Sequence, residues 1–179
     1  MAITRLGGAN AITGTIPQGN IANASLGAVT ALPAAITTGK VLQIVSDTTT
    51  DTTTVGSTTF TDVTNLSVSI TPAATSSKIL LIASMSGRNY AESNALREYK
   101  LAFVRGSTIV YQKYAYDLEA GVGANNRYVS PIQDISFVDS PSSTSALTYK
   151  VQMAVSDISD NTFIQARTTS SLIAMEVAG

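Results

Sequence analysis

The chain contains no histidine, no cysteine and no tryptophan. Those absences exclude disulfides, thiolate and imidazole metal sites, and nucleophile systems that pair Ser or Cys with His. They also exclude a histidine-based pH switch. Charge is scarce: Asp, Glu, Lys and Arg together make 13% of the 179 residues, with a net charge of −1. No basic surface is available for nucleic acid or an anionic membrane. The longest apolar run is Ile79–Ala83, far below the ~20 residues of a membrane-spanning helix. The opening stretch MAITRLGGANAITG has a single cation and no apolar segment, so it does not read as a signal peptide.

What is present divides near Lys40. Residues 1–39 carry one charge, Arg5, among Ala, Gly, Thr, Asn and Ser. Single aliphatics are scattered through them, including Ile12, Ile16, Ile21, Leu26 and Leu32. Their spacing sustains neither a helical nor a strand period. Ala-Ile-Thr recurs at 2–4, 11–13 and 35–37 without a fixed interval, which makes no solenoid. Disordered tails combine low hydrophobicity with high charge, and this segment has the reverse balance. It is therefore read as an extended arm whose aliphatics dock on a partner, with a flexible tail as the alternative.

Residues 40–179 read as about eight or nine short strands, the number and spacing of a jelly-roll β-sandwich. Leu147, Tyr149, Val151, Met153 and Val155 share one face of a strand, as do Leu66, Val68 and Ile70, and Tyr99, Leu101 and Phe103. Gly106-Ser107 between two apolar runs suits a type II′ hairpin. Thr48–Thr59 reads as a loop or a mobile edge, and Ala120–Asn126 and Asp139–Ser145 as further loops. Only Ala91–Lys100 could form a helical turn. The alternation in Tyr128–Asp139 changes phase near Pro131, which predicts a bulge or an edge there.

Two strands are apolar on both faces. In Ser77–Ser86, Ile79, Leu81 and Met85 lie on one side and Leu80 and Ile82 on the other; near the end, Leu172 and Ala174 back Ile173 and Met175. An antiparallel sheet normally keeps one face wet. Leu80, Ile82, Leu172 and Ala174 are therefore candidates for a seam between copies of the chain, the alternative being cover from the arm or a loop.

Chemistry-bearing motifs are thin. Ala34–Val41 has Gly39-Lys40 but neither the first glycine nor the Ser/Thr of a phosphate loop. Gly121–Asn126 lacks the third glycine of a dinucleotide turn. The carboxylate pairs Glu92/Glu98, Asp117/Glu119 and Asp157/Asp160 could in principle serve glycoside cleavage, but surface charges beside turns explain them more simply. No cofactor, metal or catalytic residue is expected. Tyr111, Tyr114, Tyr116, Arg127 and Tyr128 form the one aromatic concentration, suited to stacking on a sugar or anchoring a protein, or else to finishing the core.

Taken together, AITGTIPQGNIANASLGAVTALP, SVSITPAATSSKILLIASMSG, LAFVRGSTIV and the closing SSLIAMEVAG resemble small fibre or spike proteins of tailed bacteriophages, marine and cyanobacterial ones above all. The resemblance covers most of the chain and its motifs are structural. It implies a virion-anchoring arm over 1–39 and a homotrimeric jelly-roll head over 40–179, similar to tumour necrosis factor heads. It also implies attachment to a host glycan or outer-membrane protein, assembly with other tail or fibre proteins in the host cytoplasm, and no enzymatic activity, nucleic-acid binding or membrane insertion. A capsid decoration or head-fibre protein is the alternative. The chain is short for a full tail fibre and has no collagen-like or coiled-coil stalk.

Overall fold

The computed structural model describes residues 40–91, 97–117, 127–129, 132–155, 161–164 and 169–179. The expected loop at Ala120–Asn126 and the arm residues Ile12, Ile16, Ile21, Leu26 and Leu32 lie outside them, as does the centre of Ala91–Lys100. The described residues contain strands and turns and no helix: β1 (Val41–Thr49), β2 (Thr53–Val55), β3 (Thr61–Ile70), β4 (Lys78–Ser86), β5 (Arg88–Ala91), β6 (Arg97–Arg105), β7 (Thr108–Asp117), β8 (Arg127–Val129), β9 (Ile132–Asp139), β10 (Leu147–Val155), β11 (Asn161–Ile164) and β12 (Ser170–Val177).

They pair antiparallel in three four-stranded sheets, ordered β1-β12-β4-β9, β3-β10-β6-β7 and β2-β11-β5-β8. The third sheet is the first one continued. β2 follows β1 in the chain, β11 precedes β12, β5 follows β4 and β8 precedes β9, and the spatial order is the same. Counting each broken pair as one strand gives eight, arranged 1-8-3-6 opposite 2-7-4-5. That is the jelly-roll topology, two Greek keys folded face to face. The phase change expected near Pro131 lies outside the described residues, between the edge strands β8 and β9. Thr48–Thr59, expected as a loop or a mobile edge, is strand up to Thr49 and again at Thr53–Val55, on the edge strands β1 and β2. Its β-branched threonines suit extended backbone, and Thr49, Thr53 and Val55 are buried.

The core lies between the sheets. Leu66, Val68, Ile70, Tyr99, Leu101, Phe103, Tyr149, Val151 and Met153 come from one side and Ile79, Leu81, Ala83, Met85, Ile135, Leu172 and Ala174 from the other. Both long edges are closed. At one, Asp47 Oδ2 accepts from the Ser67 N–H at 3.0 Å and Thr53 Oγ1 from the Thr64 N–H at 2.8 Å, joining β1 and β2 to β3. These bonds hold a bulge in β3 where Asn65, bonded to Asp51, has φ +52°, a conformation that Asn tolerates better than most residues. At the other edge Tyr111 of β7 stacks on Phe137 of β9, with centroids 4.9 Å apart.

The β6–β7 hairpin turns on Gly106-Ser107. Gly106 has φ +60° and Ser107 does not share the positive φ, the signature of the expected type II′ turn.

Candidate functional site

Strand direction gives the sandwich two unlike ends. Lys40, the segments 71–77 and 140–146, the 106–107 hairpin and Gly179 lie at one end, where the Ala178 N–H donates to the Lys40 carbonyl at 2.9 Å. The connections 56–60, 92–96, 118–126 and 156–160 leave from the other.

The first end is sealed by buried acids. One inward row across the first sheet runs Gln43, Glu176, Ile79, Asp139. Glu176 is buried; it accepts from Gln43 Nε2 at 2.5 Å and the Ala73 N–H at 2.7 Å. Burial pushes its carboxyl up, but the Ser77 hydroxyl beside it, Gln43 and the Ala73 amide outweigh that and hold it below the usual carboxylate range. Asp139 Oδ2 accepts from Arg105 Nη1 and Tyr149 Oη, both at 2.6 Å, tying β9 to β6 and β10 across the sandwich. Burial, with the Asp139 carboxylate adding to it, raises the Tyr149 phenol far above its ordinary value.

The outer faces of the two sheets differ. On β3-β10-β6-β7, Asp62 bonds Lys150 at 2.7 Å and Gln152 at 2.5 Å. Slight burial works against its ionisation, and these two donors lower its carboxyl overall. Lys100 Nζ sits 5.3 Å from the centre of the Tyr114 ring, and Ser67, Ser69 and Thr148 are exposed beside them. This is a wet face. On β1-β12-β4-β9 the outward rows are Val41–Val177–Lys78, then Ile44–Met175–Leu80–Val138, then Ser46–Ile173–Ile82–Ser136, then Thr48–Ser171–Ser84–Asp134. One row is apolar from edge to edge, and Ile44 and Val138 keep 58% and 52% exposure.

The expected seam is thus only partly placed as expected. Leu80 and Ile82 do face outward. Leu172 and Ala174 do not: both are wholly buried in the core, beside Ala83 and Leu81 of β4. Size misleads in this strand. The larger Ile173, Met175 and Val177 look like core residues, yet the inward row belongs to Leu172, Ala174 and Glu176, because Glu176 finds its donors only on that side. Val41, Leu42, Ile44 and Val138 complete the outward patch and were missed. The signal for them was the run Val41–Val45, apolar at four of five positions.

The tyrosine group is divided as well. Tyr111 is half-buried, its ring packed against Phe137 and Phe103. Tyr114 is exposed on the wet face. Tyr116 lies in β7 opposite Glu98, and Arg127 and Tyr128 lie in β8 opposite Ala91 and Tyr90. Tyr114, Tyr116, Arg127 and Tyr128 all belong to strand segments running toward or from the end opposite Lys40. Of the carboxylate pairs, Glu98 and Asp117 are in β6 and β7, and Glu92, Glu119, Asp157 and Asp160 lie outside the described residues. Among the described residues no cluster of three or more acidic side chains is placed to hold a metal ion, and no helix is long and apolar enough to cross a membrane.

The chain matches no protein-family model and no curated protein. Among solved structures it is similar to the insecticidal delta-endotoxin Cry8Ea1 of Bacillus thuringiensis, at 15% identity and a TM-score of 0.32, over 72% of this chain and 20% of that one. It is also similar to VP2 in the subviral particle of infectious bursal disease virus, at 12% identity and a TM-score of 0.39, over 76% of this chain and 33% of the other. The chain therefore spans about a fifth and a third of those two proteins. Likeness this distant assigns no role.

Proposed function

We propose that the chain is a structural attachment protein of a virion, a bacteriophage tail-fibre or tip component with no enzymatic activity. Residues 1–39 anchor it to other tail or fibre proteins, and residues 40–179 form a homotrimeric head that meets a host glycan or outer-membrane protein. The observation that carries this reading is the polarity of the jelly roll. The chain enters the jelly roll at Lys40, at the end where Glu176 and Asp139 are buried. Strands β5, β7 and β10 end at the opposite pole, the one that faces the host in this proposal. Tyr114, Tyr116, Arg127 and Tyr128 lie in the strands leading there, where aromatic and guanidinium groups suit stacking on sugars. The arm's sparse charge and isolated aliphatics fit docking on a protein surface better than life in water.

Gold-labelled antibody against the chain, applied to intact particles, tests the reading. Label on tails or fibres supports it. Label on capsids favours the decoration role instead, and particles without label overturn both. A chain lacking residues 1–39 should fail to join particles; its incorporation would refute the arm's role. Alanine at Tyr114 with unchanged folding should weaken adhesion to host cells.

A further inference from the structure

We propose that the outer face of the β1-β12-β4-β9 sheet is buried against a second copy of this chain. The inference deepens the self-association in the proposed function, whose trimer needs such a seam, and it is tested apart from the attachment role. Three features of the face argue for it. The first is the uninterrupted apolar row Ile44–Met175–Leu80–Val138, extended by Val41, bulged Leu42 and Val177 on one side and by Ile173 and Ile82 on the other. An antiparallel sheet with a free outer face alternates apolar and polar residues; the other sheet carries Asp62, Lys100, Lys150 and Gln152 outward, with Ala102, Val104 and Ala154 set among them. Here the alternation fails along β1, β12 and β4, and in β9 at Val138.

The second is extent. Four strands spaced ~4.8 Å apart and three rows ~7 Å apart cover roughly 400 Å². An exposed apolar patch of that size matches the largest on an ordinary monomer, where such patches are often functional. Counted on both partners it buries about 800 Å², and the hydroxyl row beside it brings the contact to the ~1,000 Å² at which a specific interface holds.

The third is charge, and it selects the partner. The apolar rows contain no charged residue but Lys78, at the corner and bonded to Ser140 at 2.8 Å. The flanking positions are Ser46, Thr48, Ser84, Ser136 and Ser171, with Asp134 at the far corner. A dry centre with a hydroxyl rim is the anatomy of an interface. A face almost free of charge offers nothing to a charged partner, and an apolar surface of another copy of this chain suits it.

The test uses the full-length chain, with mass measured by light scattering behind size exclusion at micromolar concentration. The wild type should run at a multiple of 18.6 kDa. Ile44→Lys and Leu80→Lys should each fall to the single-chain mass at that concentration, with the β-sheet circular dichroism unchanged. Ile109→Lys makes a similar change at a 42%-exposed position on the wet sheet and should leave the oligomer intact. A single-chain wild type overturns the proposal. So does an oligomer that survives Ile44→Lys, or one that Ile109→Lys dissolves equally. If Leu80→Lys fails to fold, Ile44→Lys alone decides. Oligomers that dissociate as expected while labelled particles show no fibre staining would keep this interface and sink the attachment role.

Discussion

Replacing Glu176 by glutamine should destabilise the head at neutral pH and do so less in acid. The carboxylate is buried, and its two oxygens divide between Gln43 Nε2 and the Ala73 N–H. Gln43 cannot turn away freely, since its Nε2 also donates to the Thr71 carbonyl at 2.7 Å. A glutamine at 176 supplies only one acceptor oxygen, so its amino group must face one of these donors. One charge-assisted bond is lost and one donor is left unpaired, a cost of about 2 kcal/mol. The carboxyl lies below its ordinary value of 4.5 in the folded chain. A depressed carboxyl contributes stability that is present in full above the unfolded value and fades as pH falls through the folded one. Urea unfolding followed by tyrosine fluorescence, at fixed protein concentration from pH 7 to pH 3, reads this directly. The wild type should unfold at higher urea at pH 7, and the gap should narrow as the pH falls. Equal midpoints at pH 7, or a gap that stays constant down to pH 3, would refute the reasoning, because then the charge does not carry the stabilisation.

Two further outcomes follow from burial and backbone geometry. Leu172→Ala should cost about 3–5 kcal/mol in urea unfolding, because the side chain is wholly enclosed. Gly106→Ala should cost about 1 kcal/mol or more through its φ of +60°, even though nothing stands within 4 Å of an added Cβ.

Most of the jelly roll was legible because period-2 alternation survives wherever one strand face is dry and the other wet. Leu66–Val68–Ile70, Tyr99–Leu101–Phe103 and Tyr149–Val151–Met153 all belong to the sheet with the polar outer face, and all point inward as their pattern predicts. The other sheet is apolar on both sides, so its pattern has no phase to read. That is why Leu172 and Ala174 could be placed outward. It is also why Val41, Ile44 and Val138 could be passed over. The strand breaks that divide one long sheet into two were hidden for a different reason: Gly87 is the sole residue between β4 and β5, and a one-residue break leaves almost no trace in composition. The tyrosines were grouped by closeness in sequence, but Tyr111 and Tyr114 are three apart on a strand and so face opposite ways.

The phase error carries its own test of where the dry interior ends. Leu172 and Ile173 are neighbours of nearly equal hydrophobicity, one in the core and one on the outer row beside Ser46 and Ile82. Ile173 is already partly buried within the single chain, so Ile173→Ala should cost something even if the outer face met only water, but that cost would not change with protein concentration. If that face meets another copy, the same substitution should cost about 1–2 kcal/mol per chain, and its effect should depend on protein concentration because association is part of the stability. Leu172→Ala should destabilise the chain strongly even when it is diluted to single copies. Unfolding both variants across a hundredfold range of concentration therefore separates the intramolecular core from an intermolecular one. An Ile173→Ala cost that is independent of concentration would return the outer face to solvent.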